Sequence, residues 1–153
     1  MASASARVPP RWFVRLAWRI HRGLYRLTGG RLGLQRPRGN NDGTLRLTTV
    51  GRRTGNERSV IIAYLEDGPN LTGLAMNGWA DPEPAWRLNL QAHPEAIVQL
   101  PQEQRRVRAR AATGTERSRL WQRWAEVDDN LDGYAALRSR ETAVVVLEPS
   151  DRT

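Results

Sequence analysis

The chain has 153 residues, enough for one domain with its own core, and its apolar share is ordinary for a globular protein. Its formal charge of +8 comes from 24 basic residues, all arginine, against 16 acidic ones, so these cations are permanent and lysine chemistry is excluded. With no cysteine, disulfides, thiolate nucleophiles and sulfur-bound metals are excluded as well, which fits a reducing cytoplasm.

The charge is unevenly placed. Residues 1–38 hold nine arginines and no acid, whereas residues 39–153 hold 15 arginines and 16 acids, so the two parts carry +9 and −1. A nucleic-acid-binding domain would spread basic residues over its folded body, and this body is nearly neutral, so no nucleic-acid partner is expected. From Arg11 to Leu27, a step of about 100° per residue puts Arg11, Arg15, Arg19, Arg22 and Arg26 in one sector and Phe13, Leu16, Ala17, Ile20, Leu24 and Leu27 in another. This predicts an amphipathic helix entered through Pro9-Pro10 and stopped by Gly29-Gly30. Its five arginines exclude a membrane span, and no unbroken apolar stretch supports a secretory signal. Two readings stay open: a helix packed on its own domain, or one lying on an anionic leaflet with its flanking tryptophans.

Arg31 to Gly43 reads as a loop, rich in Gly, Pro, Arg and Asn. Thr44 to Val50 and Arg58 to Glu66 then read as strands joined through Gly51 to Glu57, a hairpin whose tip carries Arg52 and Arg53, with Arg58 just beyond. Gly51 and Gly55 free the backbone there, and three guanidinium groups around one turn suit a phosphate or carboxylate. A third strand is expected at Leu71 to Met76, and a short helix opens at Pro84, runs past Trp86 and Asn89, and stops at His93 before Pro94. Strand character returns at Ala96 to Leu100 and at Gln104 to Ala112, where Arg106, Arg108 and Arg110 alternate with small apolar residues and read as mainly structural.

Thr113 or Thr115 can cap a helix carrying Leu120, Trp121, Trp124 and Val127. A second helix around Leu131 to Leu137 carries Tyr134, and Thr142 to Leu147 is a buried final strand. His21 and His93 have no visible partners, and neither a HExxH helix nor a G-x-S-x-G elbow is present, so no metal site and no acyl-enzyme chemistry is expected.

Thr48-Thr49-Val50-Gly51-Arg52-Arg53-Thr54-Gly55, Arg58, Ala75-Met76-Asn77-Gly78, Pro84-Ala85-Trp86, Asn89-Leu90, His93-Pro94 and Val144 to Pro149 together resemble the deazaflavin-dependent nitroreductase family, a branch of the split β-barrel flavin-binding proteins. The resemblance implies an α+β fold, a split β-barrel with an N-terminal amphipathic helix and peripheral helices, divided into a basic segment at 1–40 and a barrel domain at 41–153. It also implies hydride transfer from the deazaflavin coenzyme F-420 to a quinone, a nitro compound or another activated acceptor. In that reading Arg52, Arg53 and Arg58, with Thr54 and Gly55, hold the coenzyme's phosphate and acidic tail. Val60, Ile61, Ile62 and Tyr64 lie beside the deazaflavin, Ala75, Met76, Asn77 and Gly78 form the loop against the ring, and Trp86 and Asn89 are its neighbours. Tyr134 is the candidate proton donor. Members of the family place further tyrosines where this chain has Asp128 and Leu131, so the acceptor is expected to differ. The basic N-terminal segment would then also attract an acidic coenzyme.

The competing readings are a split-barrel reductase that uses FMN, and a non-catalytic protein that binds cofactor or docks on a membrane. A cytoplasmic protein, monomer or homodimer, is expected, with contact to the inner face of the cell membrane if the basic helix docks there.

Overall fold

A computed structural model of the chain describes residues 34–76 and 80–150; the helix expected between Arg11 and Leu27 lies outside them, as do Asn77, Gly78 and Trp79. The described elements are β1 (Gly43–Val50), β2 (Glu57–Asp67), β3 (Asn70–Leu74), α1 (Ala85–Ala92), β4 (Glu95–Gln99), β5 (Gln104–Ala111), α2 (Gly114–Val127), α3 (Leu131–Ala136) and β6 (Val144–Pro149). The strands close into a barrel in the order β1-β2-β3-β6-β5-β4, every pair antiparallel. Pairing of Arg46 to Thr48 with Ile97 to Gln99 joins β1 to β4 and leaves no open edge.

Side-chain periodicity explains which surfaces are covered. β1 alternates strictly between buried and half-buried positions, with Leu45 and Leu47 turned inward. In β2, β3 and β6 residues on both faces are buried, apolar except for Thr72 on the outer side of β3. Ile62, Tyr64, Leu71, Val145 and Leu147 point into the barrel, where they meet Leu45, Leu47, Val98 and Val107, with Trp86 and Leu90 of α1 completing the same core. On the outer side Leu65, Leu74, Val144 and Val146 pack against Leu120 and Trp124 of α2 and Leu131 of α3. Burying each large aliphatic side chain contributes roughly 1.5–3 kcal/mol, which makes these two clusters the main source of cohesion.

Polar contacts fix how the outer helices sit. Arg119 of α2 holds the Asp67 carboxylate with two bonds, 2.8 and 2.9 Å, and Arg123 donates to the Glu66 carbonyl at 2.7 Å. The Arg119 guanidinium holds the Asp67 carboxyl below its usual range. The Trp121 indole N–H donates to Asp132 at 2.8 Å and so ties α2 to α3. Arg110, on the outer face of β5, reaches Glu148 at 2.6 Å and Glu116 at 2.5 and 2.9 Å. Exposed pairs of this kind contribute about 0–1 kcal/mol each, so they orient the layer more than they stabilise it.

The expected elements recur with shifted ends. β3 stops at Leu74 and β6 starts at Val144, both shorter than the sequence pattern suggests, although an Ala75 N–H to Ala143 carbonyl bond of 2.9 Å carries the contact one residue further. The stretch read as a loop before Gly43 is partly built in. Leu34 is buried, Gln35 pairs with Thr44, and a side chain at Gly43 would strike the Gln35 carbonyl, so contact with the barrel begins ahead of the expected boundary at residue 40. Thr113 sits at the N-cap of α2, but its hydroxyl makes no capping bond.

Tyr64 is fully buried in the barrel core, and its hydroxyl has no hydrogen-bond partner among the described residues. Burial, with the Glu66 charge adding, pushes its phenol up to about 12. The folded protein therefore keeps a proton that the unfolded chain releases near pH 10, so stability falls as pH rises from about 10 towards 12. Tyr64→Phe removes an unsatisfied hydroxyl and should leave stability unchanged or raise it by about 1 kcal/mol in urea unfolding, while weakening this alkaline loss. A clear destabilisation by Tyr64→Phe would show that the hydroxyl has a partner.

Candidate functional site

The β1–β2 connection is a turn whose backbone closes on itself. Gly51 N–H donates to the Asn56 carbonyl at 2.7 Å, Gly55 N–H to the Gly51 carbonyl at 2.9 Å, and Asn56 N–H to the Thr54 hydroxyl at 3.2 Å. Gly55 takes a φ of +74°, which side-chain-bearing residues adopt at a cost, and this explains glycine there. The result displays Arg52, Arg53 and Arg58 outward. No ion pair among the described residues uses any of the three.

Asn89 of α1 holds this turn against the barrel. It is 4% exposed, its Oδ1 accepts the Arg52 backbone N–H at 3.1 Å and an Arg52 guanidinium N–H at 3.4 Å, and its Nδ2 donates to the Thr49 hydroxyl at 3.1 Å. Thr49 is itself buried, so the Asn89 amide is a buried polar bridge between the end of β1, the turn and the helix. Trp86 and Leu90, on the same helix, sit in the barrel core and fix where Asn89 stands.

Beside the turn opens a cavity of about 770 Å³, within the range of cofactor pockets. One end is formed by Gly51, Arg52, Arg53, Thr54 and Arg58. Val60, Ile61, Ile62 and Ala63 carry the wall along β2, roughly 16 Å from Arg58 to Ala63 at the usual rise of an extended strand. Leu74 and Met76 stand there with Trp124, Val127 and Leu131 of the outer layer, and Pro84, Ala85 and Trp86 contribute from the start of α1. Asp42 and Asp128 also line the cavity. Partial desolvation lifts the Asp42 carboxyl above its usual range, and the Asp128 charge adds to the shift. One end is thus cationic and the other apolar with two carboxyl groups.

Of the residues singled out from sequence, Arg52, Arg53, Thr54, Arg58, Val60, Ile62, Met76, Trp86 and Asn89 line this cavity. Gly55 shapes the turn without lining it, while Ala75 is buried behind Met76. Tyr64 shares the inward face of Val60 and Ile62 but lies deeper, in the core and away from the wall. Asn77 and Gly78 lie outside the described residues. Tyr134 is half-buried on α3, one helical turn beyond the cavity-lining Leu131, and is not part of the wall. Trp124, read as core, serves both as core and as cavity wall. Arg138 was not singled out at all. Its neighbours Ser139 and Arg140 give it no distinguishing pattern, yet its side chain is fully buried and paired with Glu83 at 2.9 Å.

Comparison with known proteins agrees with this geometry. Residues 17–149 match the sequence model of the family described as F420H2-dependent quinone reductase. An F420H2-dependent quinone reductase of Mycobacterium tuberculosis is 31% identical over 132 residues, which cover 84% of this chain and 87% of that protein. Among solved structures, one described as a domain-swapped dimer superposes with a TM-score of 0.66 at 26% identity, covering 92% of this chain and 100% of the other. An F420H2-dependent reductase superposes with a TM-score of 0.62 at 25% identity, covering 69% of this chain and 93% of its own. A pyridoxamine 5'-phosphate oxidase fold from Listeria innocua, at 15% identity, a TM-score of 0.51 and coverage of 71% and 84%, shares the split-barrel architecture alone. By sequence and by fold, the chain belongs to the F420H2-dependent quinone reductase family.

Proposed function

We propose that the cavity holds coenzyme F-420 with its phosphate and acidic tail on Arg52, Arg53 and Arg58, and that this oxidoreductase passes a hydride to a quinone. The observation that carries the reading is a turn presenting three permanent cations, none in an ion pair among the described residues, at the mouth of a cavity long enough for a tricyclic ring system. When bound, the reduced deazaflavin supplies the hydride; the protein supplies position and electrostatics.

The charge gradient orients the ligand. Asp42 and Asp128 repel an acidic tail, while the arginine turn attracts it, so the ring is directed along β2 towards Leu74, Met76 and Trp124. A planar apolar acceptor suits that end, because its wall is aliphatic and aromatic. Asn89 acts by holding Arg52, since its amide is already engaged with Arg52 and Thr49.

Docking of the N-terminal segment on an anionic leaflet belongs to the same proposal. A quinone dissolved in lipid gives a reason for it, and nine arginines without an acid in residues 1–38 supply the attraction. Among the described residues no helix is long and apolar enough to cross a membrane. The absence of cysteine fits a reducing cytoplasm on the side where this leaflet faces.

Three results are expected. In fluorescence titration, replacing Arg52, Arg53 and Arg58 by glutamine should weaken F-420 binding by about a hundredfold or more, since each charge-assisted bond contributes about 1.5–3 kcal/mol, and FMN should bind wild type far more weakly. Equal affinity in wild type and triple variant would remove the basis of the proposal. Asn89→Ala should raise the F-420 dissociation constant about tenfold by loosening Arg52, with little change in turnover at saturating coenzyme. For the membrane contact, the full chain should co-sediment with phosphatidylglycerol vesicles and release as salt rises, whereas partition that ignores lipid charge would count against leaflet docking.

A further inference from the structure

We infer that Arg138 is a positioning residue for hydride transfer, holding in place the backbone that carries the cavity-lining Met76 and the cavity-lining Pro84 to Trp86; the inference rests on the oxidoreductase reading above. The Arg138 side chain is fully buried, and every N–H of its guanidinium is used. Nε donates to the Ala80 carbonyl at 3.1 Å. Nη1 donates to the Ala75 carbonyl at 3.1 Å and the Thr142 hydroxyl at 2.8 Å, and Nη2 to the Asp81 carbonyl at 3.2 Å and Glu83 Oε1 at 2.9 Å. An arginine cannot shed its charge, so burial at this depth is tolerated only when all its donors are satisfied and a carboxylate balances it.

These bonds converge on Ala75 and on Ala80 to Glu83. Met76 directly follows Ala75, and Pro84, Ala85 and Trp86 directly follow Glu83; Met76 and these three line the cavity. Asp81 receives a second bond from the same side, the Ser139 backbone N–H to its carboxylate at 2.5 Å, which lowers the Asp81 carboxyl. Ala75 is further tied to Ala143. Residues 138–143 therefore fasten Ala75 and the stretch Ala80 to Glu83, and among the described residues no other hydrogen bonds hold that stretch. Arg138 lines no part of the cavity itself, so its effect on the reaction passes through Met76 and through the entry to α1.

The anion turn is fastened separately. Asn89 holds Arg52 from the second turn of α1, past the entry that Arg138 reaches, and Leu90 beside it keeps that part of the helix in the barrel core. Loosening the Arg138 cluster should shift the ring and acceptor end of the cavity while sparing the grip on the coenzyme tail. Small displacements of a positioned ring cost rate steeply, up to about a hundredfold for about 1 Å.

The test uses the full chain with three changes: Arg138→Lys, which keeps the charge but replaces the planar fork; Glu83→Gln, which keeps an acceptor but removes the balancing carboxylate; and Arg138→Ala assayed with and without guanidinium ion. Thermal midpoint, the F-420 dissociation constant and steady-state kinetics with menadione are read for each. Arg138→Lys and Glu83→Gln should keep the dissociation constant within about threefold of wild type while kcat/KM for menadione falls about tenfold or more. Guanidinium ion should restore part of the rate to Arg138→Ala and none to wild type. The inference is overturned if a folded Arg138→Lys protein has wild-type kcat and KM, or if the rate falls only in proportion to the loss of F-420-binding capacity, as a loss of folded protein would give. Wild-type protein that binds no F-420 would instead sink the oxidoreductase reading itself, a result separable from any property of the variants.

Discussion

Three strands of this barrel carry apolar side chains that need covering on both faces, and that constraint organises the rest of the molecule. A closed barrel can bury only the inward side of β2, β3 and β6, so Leu65, Leu74, Val144 and Val146 require a second layer outside. α2 and α3 supply it through Leu120, Trp124 and Leu131. The cavity opens where this layer ends: β2 continues past the helices towards Arg58, and its wall is left for a ligand to cover. The site is therefore a consequence of covering one sheet with helices shorter than its full extent.

At the far end of that wall, polar chemistry replaces packing. The turn needs Gly55 in a left-handed conformation, and the Asn89 amide supplies the acceptor for the Arg52 backbone N–H. With arginine at all three positions, the field at the mouth does not vary over the pH range in which proteins fold. Asp42 and Asp128 place the opposite sign at the other end. A ligand with one acidic end and one apolar end is thereby given a direction.

Much of this was legible in the residues. The alternation from Thr44 to Val50 gave a strand and its inward face, the unbroken Val144-Val145-Val146-Leu147 gave a strand buried on both sides, and the glycine-bounded arginines gave a turn that stands at the mouth of the cavity. The split-barrel connectivity followed from family resemblance, since periodicity fixes which face is buried and not which strand lies beside which. The same limit explains Tyr64. Period two puts Val60, Ile62 and Tyr64 on one side of β2, but depth along the strand decides that the first two meet the cavity and the third meets the core. Arg138 gave no signal, because an arginine among surface-like neighbours looks alike whether solvated or enclosed by five acceptors.

Leu74, Met76, Trp124, Val127 and Leu131 belong at once to the outer cluster and to the cavity wall. Contacts that dock the helices are thus the contacts that shape the apolar end of the cavity, so the packing of the layer and the shape of that end are coupled. Evolution towards a bulkier or more polar acceptor cannot edit this wall alone: each enlargement also thins the packing that seats α2 and α3. Diversity of acceptors in such a barrel should therefore be accompanied by compensating changes on the far side of those helices, where no substrate reaches.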